Sequence, residues 1–299
     1  MNHDLFDEEL ELPSRAAQRR LDNLVGLDVA KATLSANAAV LLDPDALRSW
    51  STAKHGSVLQ LVENFAQRTP LIILAGDVGT GKSTLAETFA QQVAVDRSIN
   101  ISVLRLSLRS RGTGAVGEMT RLLGEAFDQV ITRSRNMAQG DALVLIIDEA
   151  DAIAQSRELG QMHHEDRAGV NALIRGIDSV AAERRPVLVV MCTNRLNALD
   201  PAVRRRAAAE IEFTRPDAAQ RVAFFKSALV GSGIDVSQSQ KLADMTGDAG
   251  PGFGHTYSDL ANRVIPSAVL AAFPDRPLTF DIVAAAIRTN PPTPPFRTE

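Results

Sequence analysis

Residues 71–83 read LIILAGDVGTGKS: an apolar run, then G-x-x-x-x-G-K-S, then a helical pattern from Ser83 to Val95. The run is continuous rather than alternating, which is how a strand buried on both faces of a parallel sheet reads. The glycines at 76, 79 and 81 let the backbone fold into a nest of N–H groups, and the helix that follows adds its positive N-terminal end. Strand before and helix after is the context that makes this spacing a phosphate-binding loop. In that context Lys82 reaches the β- and γ-phosphates of ATP and Ser83 ligates Mg²⁺, with Asp77, Val78, Gly79, Thr80, Gly81 and Thr84 completing the cradle. The alternative is a tight glycine loop without a ligand.

Working outward, two more uninterrupted runs, Leu143 to Ile147 and Val187 to Met191, read as strands of the same sheet. Between them apolar residues recur three and four apart in 116–133 and 166–180, so strand and helix alternate as in an α/β domain. Ile99 to Leu106 alternates more and is expected beside the second strand. Beyond Phe213, Arg215-Pro216-Asp217 breaks the pattern, and 218–229, 238–245 and 258–272 read as helices. The expected organisation is an N-terminal charged arm of uncertain order (1–22), a large P-loop αβα domain with a parallel sheet (23–214), a small helical domain (215–288) and a proline-rich tail (289–299), extended or disordered.

The second run ends in Asp148-Glu149. A strand ending in two acids is weak by itself, since solvated strand ends often carry them. Beside a P-loop, Asp148 is expected to bind the metal and Glu149 to orient and deprotonate the attacking water. The third run ends in Thr193-Asn194, where a neutral amide can hold the water or the γ-phosphate; Asn there also reads as an ordinary turn former. Arg204, Arg205 and Arg206 form a basic cluster after that strand, and a solvated helix end is the plain alternative.

Composition bounds the partners. The 299 residues are 45% apolar and 23% charged with a formal net charge of −4, so a core can be buried and no bulk positive field exists for nucleic acid. The single cysteine, Cys192, lies in an apolar run and reads as a small hydrophobe, with no disulfide possible within the chain. The acidic N-terminus is unlike a secretory signal and no apolar stretch approaches membrane-spanning length, so a soluble cytoplasmic protein without membrane partners is expected. His163-His164-Glu165-Asp166 lacks further ligands and reads as a polar loop, and Trp50 and Tyr257 read as packing residues.

Taken in order, these parts resemble the AAA+ ATPases over residues 23–272. Leu24-Val25-Gly26-Leu27 is similar to the box that contacts adenine in that superfamily, which assigns Val25 and Gly26 to the nucleotide. Asn194 matches its sensor-1 position, and the segment 199–206 resembles the one that presents arginine fingers to a neighbour, with Arg206 the first candidate and Arg205 the second. RAGVNALIRGID (167–178) and the run ending Arg263-Val264-Ile265-Pro266 look most similar to the HORMA-remodelling, pachytene-checkpoint branch and its bacterial anti-phage relatives. The resemblance implies a hexamer, with a HORMA-domain protein as partner and substrate and a C-terminal helical lid. It also marks two departures: Ala115 stands where pore loop 1 usually has an aromatic, between Gly112, Gly114 and Val116, and the sensor-2 arginine is displaced, leaving Arg263. A DNA-associated ATPase of the clamp-loader or initiator type is the competing reading, and a non-hydrolysing nucleotide-dependent scaffold the third.

Overall fold

The structure, a computed structural model, describes residues 5–107, 117–152, 164–248 and 252–295. The chain divides into two compact units, Met1–Leu21, Val29–Ala75 and Ser83–Glu212 forming one, and Asp22–Asp28, Gly76–Lys82 and Phe213–Glu299 the other. The loop around Gly76–Lys82 and the segment 22–28 thus belong with the C-terminal helices, whereas a cut at residue 214 would separate them.

In chain order the elements up to the second strand are β1 (Glu8–Leu12), α1 (Arg15–Asp22), α2 (Asp28–Leu42), α3 (Pro44–His55), α4 (Gln60–Ala66) and β2 (Leu71–Gly76). There follow α5 (Lys82–Thr88), α6 (Ala90–Arg97), β3 (Ile101–Ser107), α7 (Glu118–Asn136), β4 (Ala142–Asp148), α8 (His164–Glu183), β5 (Val187–Thr193), α9 (Pro201–Arg204) and β6 (Ala209–Phe213). The sheet order is β1-β3-β4-β5-β2-β6, with β3, β4, β5 and β2 parallel. Its central strands β4 and β5 are buried at every position, so their sequences carry no polar alternation. Phe127, Val130, Leu173 and Ile177 of α7 and α8 pack with Leu145, Ile147 and Val189 in one core.

The structure adds to the sequence expectation at two places and corrects it at one. The N-terminal arm, whose order the sequence left open, carries a strand: β1 pairs antiparallel with β3, from Glu8 opposite Arg105 to Leu12 opposite Ile101. Its charges are an edge strand's solution to exposure, since Glu9 forks to Arg133 of α7 at 2.8 and 3.0 Å while Leu5, Phe6 and Leu12 are buried. The helix read as 83–95 is two, α5 and α6. Helices α2, α3 and α4 fill the stretch before the P-loop, where no motif stands; α3 starts on Asp43, whose Oδ1 accepts from Ala46 N–H at 3.0 Å, with Pro44 in its first turn.

The second unit continues with α10 (Ala218–Ala228), α11 (Val236–Met245), α12 (Tyr257–Asp259), a π-helical turn (Leu260–Val264), α13 (Ile265–Ala272) and α14 (Phe280–Thr289). Asp217, which read as part of a break, is a cap: with Gln220 it forms a capping box, and Asp235 forms another with Gln238. Phe225, Leu242, Leu260, Val264, Val283 and Ile287 make a separate core. No helix among the described residues is long and apolar enough to cross a membrane.

Candidate active site

In the parallel sheet the carboxyl ends of β2, β4 and β5 carry the P-loop, Asp148-Glu149 and Thr193-Asn194. Ligands of open α/β sheets bind outside these ends.

Within the second unit the P-loop turns sharply. Gly76 has φ 150° and a Cβ there would lie 2.0 Å from the carbonyl oxygen of Phe213; Gly79 has φ 77° and a Cβ would meet Thr256 Oγ1 at 2.7 Å. Side chains are excluded at both positions, by strain and by space, so the bare backbone lines the cradle as a phosphate nest demands. Ser258 N–H donates to Gly79 O at 3.0 Å, and Thr80, fully buried, donates its hydroxyl to Asp77 O at 2.8 Å. Lys82, 6% exposed, donates to the carbonyls of Gly76 and Asp77, each at 2.8 Å. An ammonium held on its own loop is a charge placed for an incoming anion. Val78 is exposed, and Val25 N–H bonds the Asn23 carbonyl at 3.1 Å. The Gly26 carbonyl accepts from Gln220 Nε2 at 2.7 Å, and Tyr257 stands so close that a Cβ on Gly26 would lie 2.4 Å from its hydroxyl oxygen.

Within the first unit Ser83 Oγ donates to Asp148 Oδ1 at 3.2 Å. Two hard oxygen donors, one a carboxylate 7% exposed, suit Mg²⁺. Thr84 lies one turn before Thr88, whose hydroxyl caps its carbonyl at 2.7 Å. Glu149 follows in the left-handed region, φ 54°, its N–H bonding Asp148 Oδ1 at 3.0 Å. A non-glycine residue held there costs about 1 kcal/mol and marks a position fixed by its surroundings. The end of β5 is tied by a group the sequence reading missed. Asp151, buried in the short turn after β4, accepts from Thr193 Oγ1 at 3.3 Å and from the Asn194 N–H at 3.2 Å. Its signal was an acid three residues after Asp148 that no solvated loop required.

The three arginines are not equivalent. Arg204 forks to Glu210, Arg205 is exposed with Nε on the Pro201 carbonyl at 3.1 Å, and Arg206 forks to Asp178 of α8 at 2.7 and 2.9 Å while also capping the Ala202 carbonyl. Arg263 bonds Asp259 Oδ1 at 3.0 Å and the Pro291 carbonyl at 3.1 Å, which places it on the chain's C-terminal segment. Residues 108–116, with the expected pore loop, and the side chains of 163–167 lie outside the described residues.

Residues 72–215 match the model of the ATPase family associated with various cellular activities (AAA). Across 299 aligned residues the chain is 44% identical to CD-NTase-associated protein 6 of Escherichia coli (strain MS 115-1), covering 98% of this chain and 96% of that one. A chain in the structure of the E. coli MS115-1 HORMA:CdnC:Trip13 complex superposes with a TM-score of 0.90 at 44% identity, covering 98% of this chain and 97% of that one. The structure of Rhizobiales Trip13 gives 0.77 at 42% identity, covering 97% of this chain and all of that one (100%).

Proposed function

The chain belongs to the AAA family of ATPases, and on that premise we propose that it hydrolyses Mg²⁺-ATP to remodel a HORMA-domain protein in anti-phage defence, as a ring-forming hexamer. The observation that carries this reading is the similarity of nearly the whole chain, not of the ATPase core alone, to a chain of a complex that contains a HORMA protein.

The residues divide the chemistry. Lys82 and the backbone of Gly79 to Ser83 bind the phosphates, Val25 and Gly26 the base, and Ser83 with Asp148 the metal, which when bound neutralises charge on the β- and γ-phosphates. Glu149 takes the proton of the attacking water, and Asn194 orients that water. Arg206 leaves Asp178 to reach the nucleotide of the neighbouring subunit, where a guanidinium stabilises the charge of phosphoryl transfer. Arg205, already exposed, is the second candidate, and Arg263 serves the nucleotide from the lid. Force on the HORMA protein then comes from the ring's turnover.

The test uses Glu149→Gln. The amide keeps shape but cannot accept a proton, so ATP binding should be retained while turnover falls about 100-fold or more. Loaded with ATP, this variant should hold a HORMA-domain protein through size-exclusion chromatography, where the parent releases it. Arg206→Ala should bind ATP and fail to hydrolyse it. Parental turnover in Glu149→Gln overturns the base assignment; retention that is the same with and without ATP overturns remodelling.

A further inference from the structure

Both oxygens of Asp148 are held, and by different partners. Oδ1 accepts from Ser83 Oγ at 3.2 Å and from the Glu149 N–H at 3.0 Å. Oδ2 accepts from Arg105 Nη2 at 2.8 Å. Arg105 stands on β3, two residues before Ser107, which is in register with Asp148. Its Nη1 lies 2.8 Å from Glu87 Oε1 on α5, a carboxylate only 3% exposed. Glu87 also takes the guanidinium of Arg20 on α1, and Glu8 of β1 lies 3.7 Å from Arg105 and 3.9 Å from Arg20. Five side chains of alternating sign therefore run from β1 and α1 to the carboxylate that faces Ser83.

A buried carboxylate with one engaged oxygen can rotate and exchange its two oxygens. A guanidinium removes that freedom, because its N–H groups lie in a rigid plane and Arg105 is itself held at Nη1 by Glu87, with Glu8 3.7 Å from the same nitrogen. We infer that Arg105 is a positioning residue for the metal: by gripping Oδ2 it keeps Oδ1 of Asp148 beside the Ser83 hydroxyl, so that two oxygen donors are presented together. This rests on the reading of Ser83 and Asp148 as the Mg²⁺ site. Partners in the shell behind a metal's ligands orient those ligands, and losing one weakens metal binding about 10–100-fold. A guanidinium acting only as a rival counter-ion predicts the opposite, since its removal would strengthen metal binding.

The experiment titrates the full chain with Mg²⁺ at fixed fluorescent ATP analogue and reads bound nucleotide, with EDTA as the metal-free reference. Arg105→Met is made together with Glu87→Gln, so that the almost fully buried Glu87 is not left with Arg20 as its one remaining counter-charge, and Asp148 is the carboxylate whose holding changes. The double variant should need about tenfold more Mg²⁺ at the midpoint, Arg105→Lys should fall between it and the parent, and Glu87→Gln alone should stay within twofold; binding in EDTA should be the same in all. If the double variant fails to fold, Arg105→Lys and Glu87→Gln decide the matter by the same ranking. An unchanged or lowered midpoint in the Arg105 variants overturns the inference. Asp148→Asn with the parental Mg²⁺ midpoint shows instead that the metal site was misassigned, a failure distinct from that of Arg105.

Discussion

Asp77 puts a carboxylate in the loop expected to face phosphates, which is an unfavourable place for negative charge. Its Oδ2 accepts from Arg215 Nε at 2.8 Å and Nη2 at 2.5 Å, and its Oδ1 from the Val78 N–H at 2.8 Å. Arg215 also donates to the Gly254 carbonyl at 2.6 Å and lies over the Phe253 ring, 5.1 Å from its centroid. The guanidinium thus neutralises the loop's own acid. At an effective dielectric of 20, a bare carboxylate about 8 Å from a phosphate charge costs on the order of 2 kcal/mol. Arg215→Met should therefore weaken ATP by about tenfold or more, ADP less and adenosine least, as read by calorimetry, and Asp77→Asn in the same chain should restore ATP. If the double variant stays as weak as Arg215→Met, the role of Arg215 is structural. Neither this arginine nor Arg105 was legible in the sequence. Arg215 sits against Pro216 and reads as a domain break, while Arg105, between Leu104 and Leu106, reads as the solvent face of an alternating strand. A motif names residues that touch the ligand; the groups that neutralise and orient them come from other strands and have no fixed spacing.

Among the elements, the C-terminal segment was expected to be extended or disordered, and residues 291–295 form no helix or strand, yet Thr293 is clasped. Asp259, 2% exposed, accepts from Thr293 Oγ1 at 2.5 Å, Thr293 N–H at 3.1 Å, and the Thr256 N–H and hydroxyl, each at 3.0 Å. Burial works to raise its pKa, but these donors outweigh it and hold the carboxyl at about 2, below its ordinary 3.8. A depressed acid contributes stability that is complete above its unfolded pKa and lost as pH falls through the folded one. The contribution of Asp259, on the order of 1–2 kcal/mol, should therefore disappear between about pH 4 and pH 2. The difference in unfolding free energy between the parent and Asp259→Asn should shrink across that window, and Thr293→Val should lower stability near neutrality by about 1 kcal/mol, both by denaturant titration. A difference independent of pH would refute the clasp's ionic character. What made elements legible was burial: β4 and β5 announce themselves because every position is buried, and β2 because every position but its last, Gly76, is. β1 did not, since three of its five residues are glutamates and its partner strand lies about ninety residues away. Helices α2 to α4 carry no motif to anchor a reading.

For the whole molecule, each unit holds a hydrophobic core of its own among the described residues, and the order P-loop, acid pair, Asn strand is enough to name the family from the sequence. The sequence was silent on how the loop at 76–82 is grouped with the C-terminal helices, because a P-loop pattern describes strand, loop and helix as one continuous piece. The paired arm has a practical consequence in another field, that of solubility. β1 is what closes the β3 side of the sheet, and an uncovered edge strand offers its free N–H and C=O groups to any extended chain. A protein shortened to begin at Ser14 would expose that edge together with the apolar positions that Leu5, Phe6 and Leu12 cover. It should form large aggregates by light scattering at concentrations where the full chain stays dispersed, and a short peptide of residues 5–13 added in excess should suppress them. Equal dispersion of the shortened chain would show that the edge is protected by other means. The acidic residues of the arm are thus its gatekeepers against fibre-like association, as well as partners of Arg20, Arg105 and Arg133.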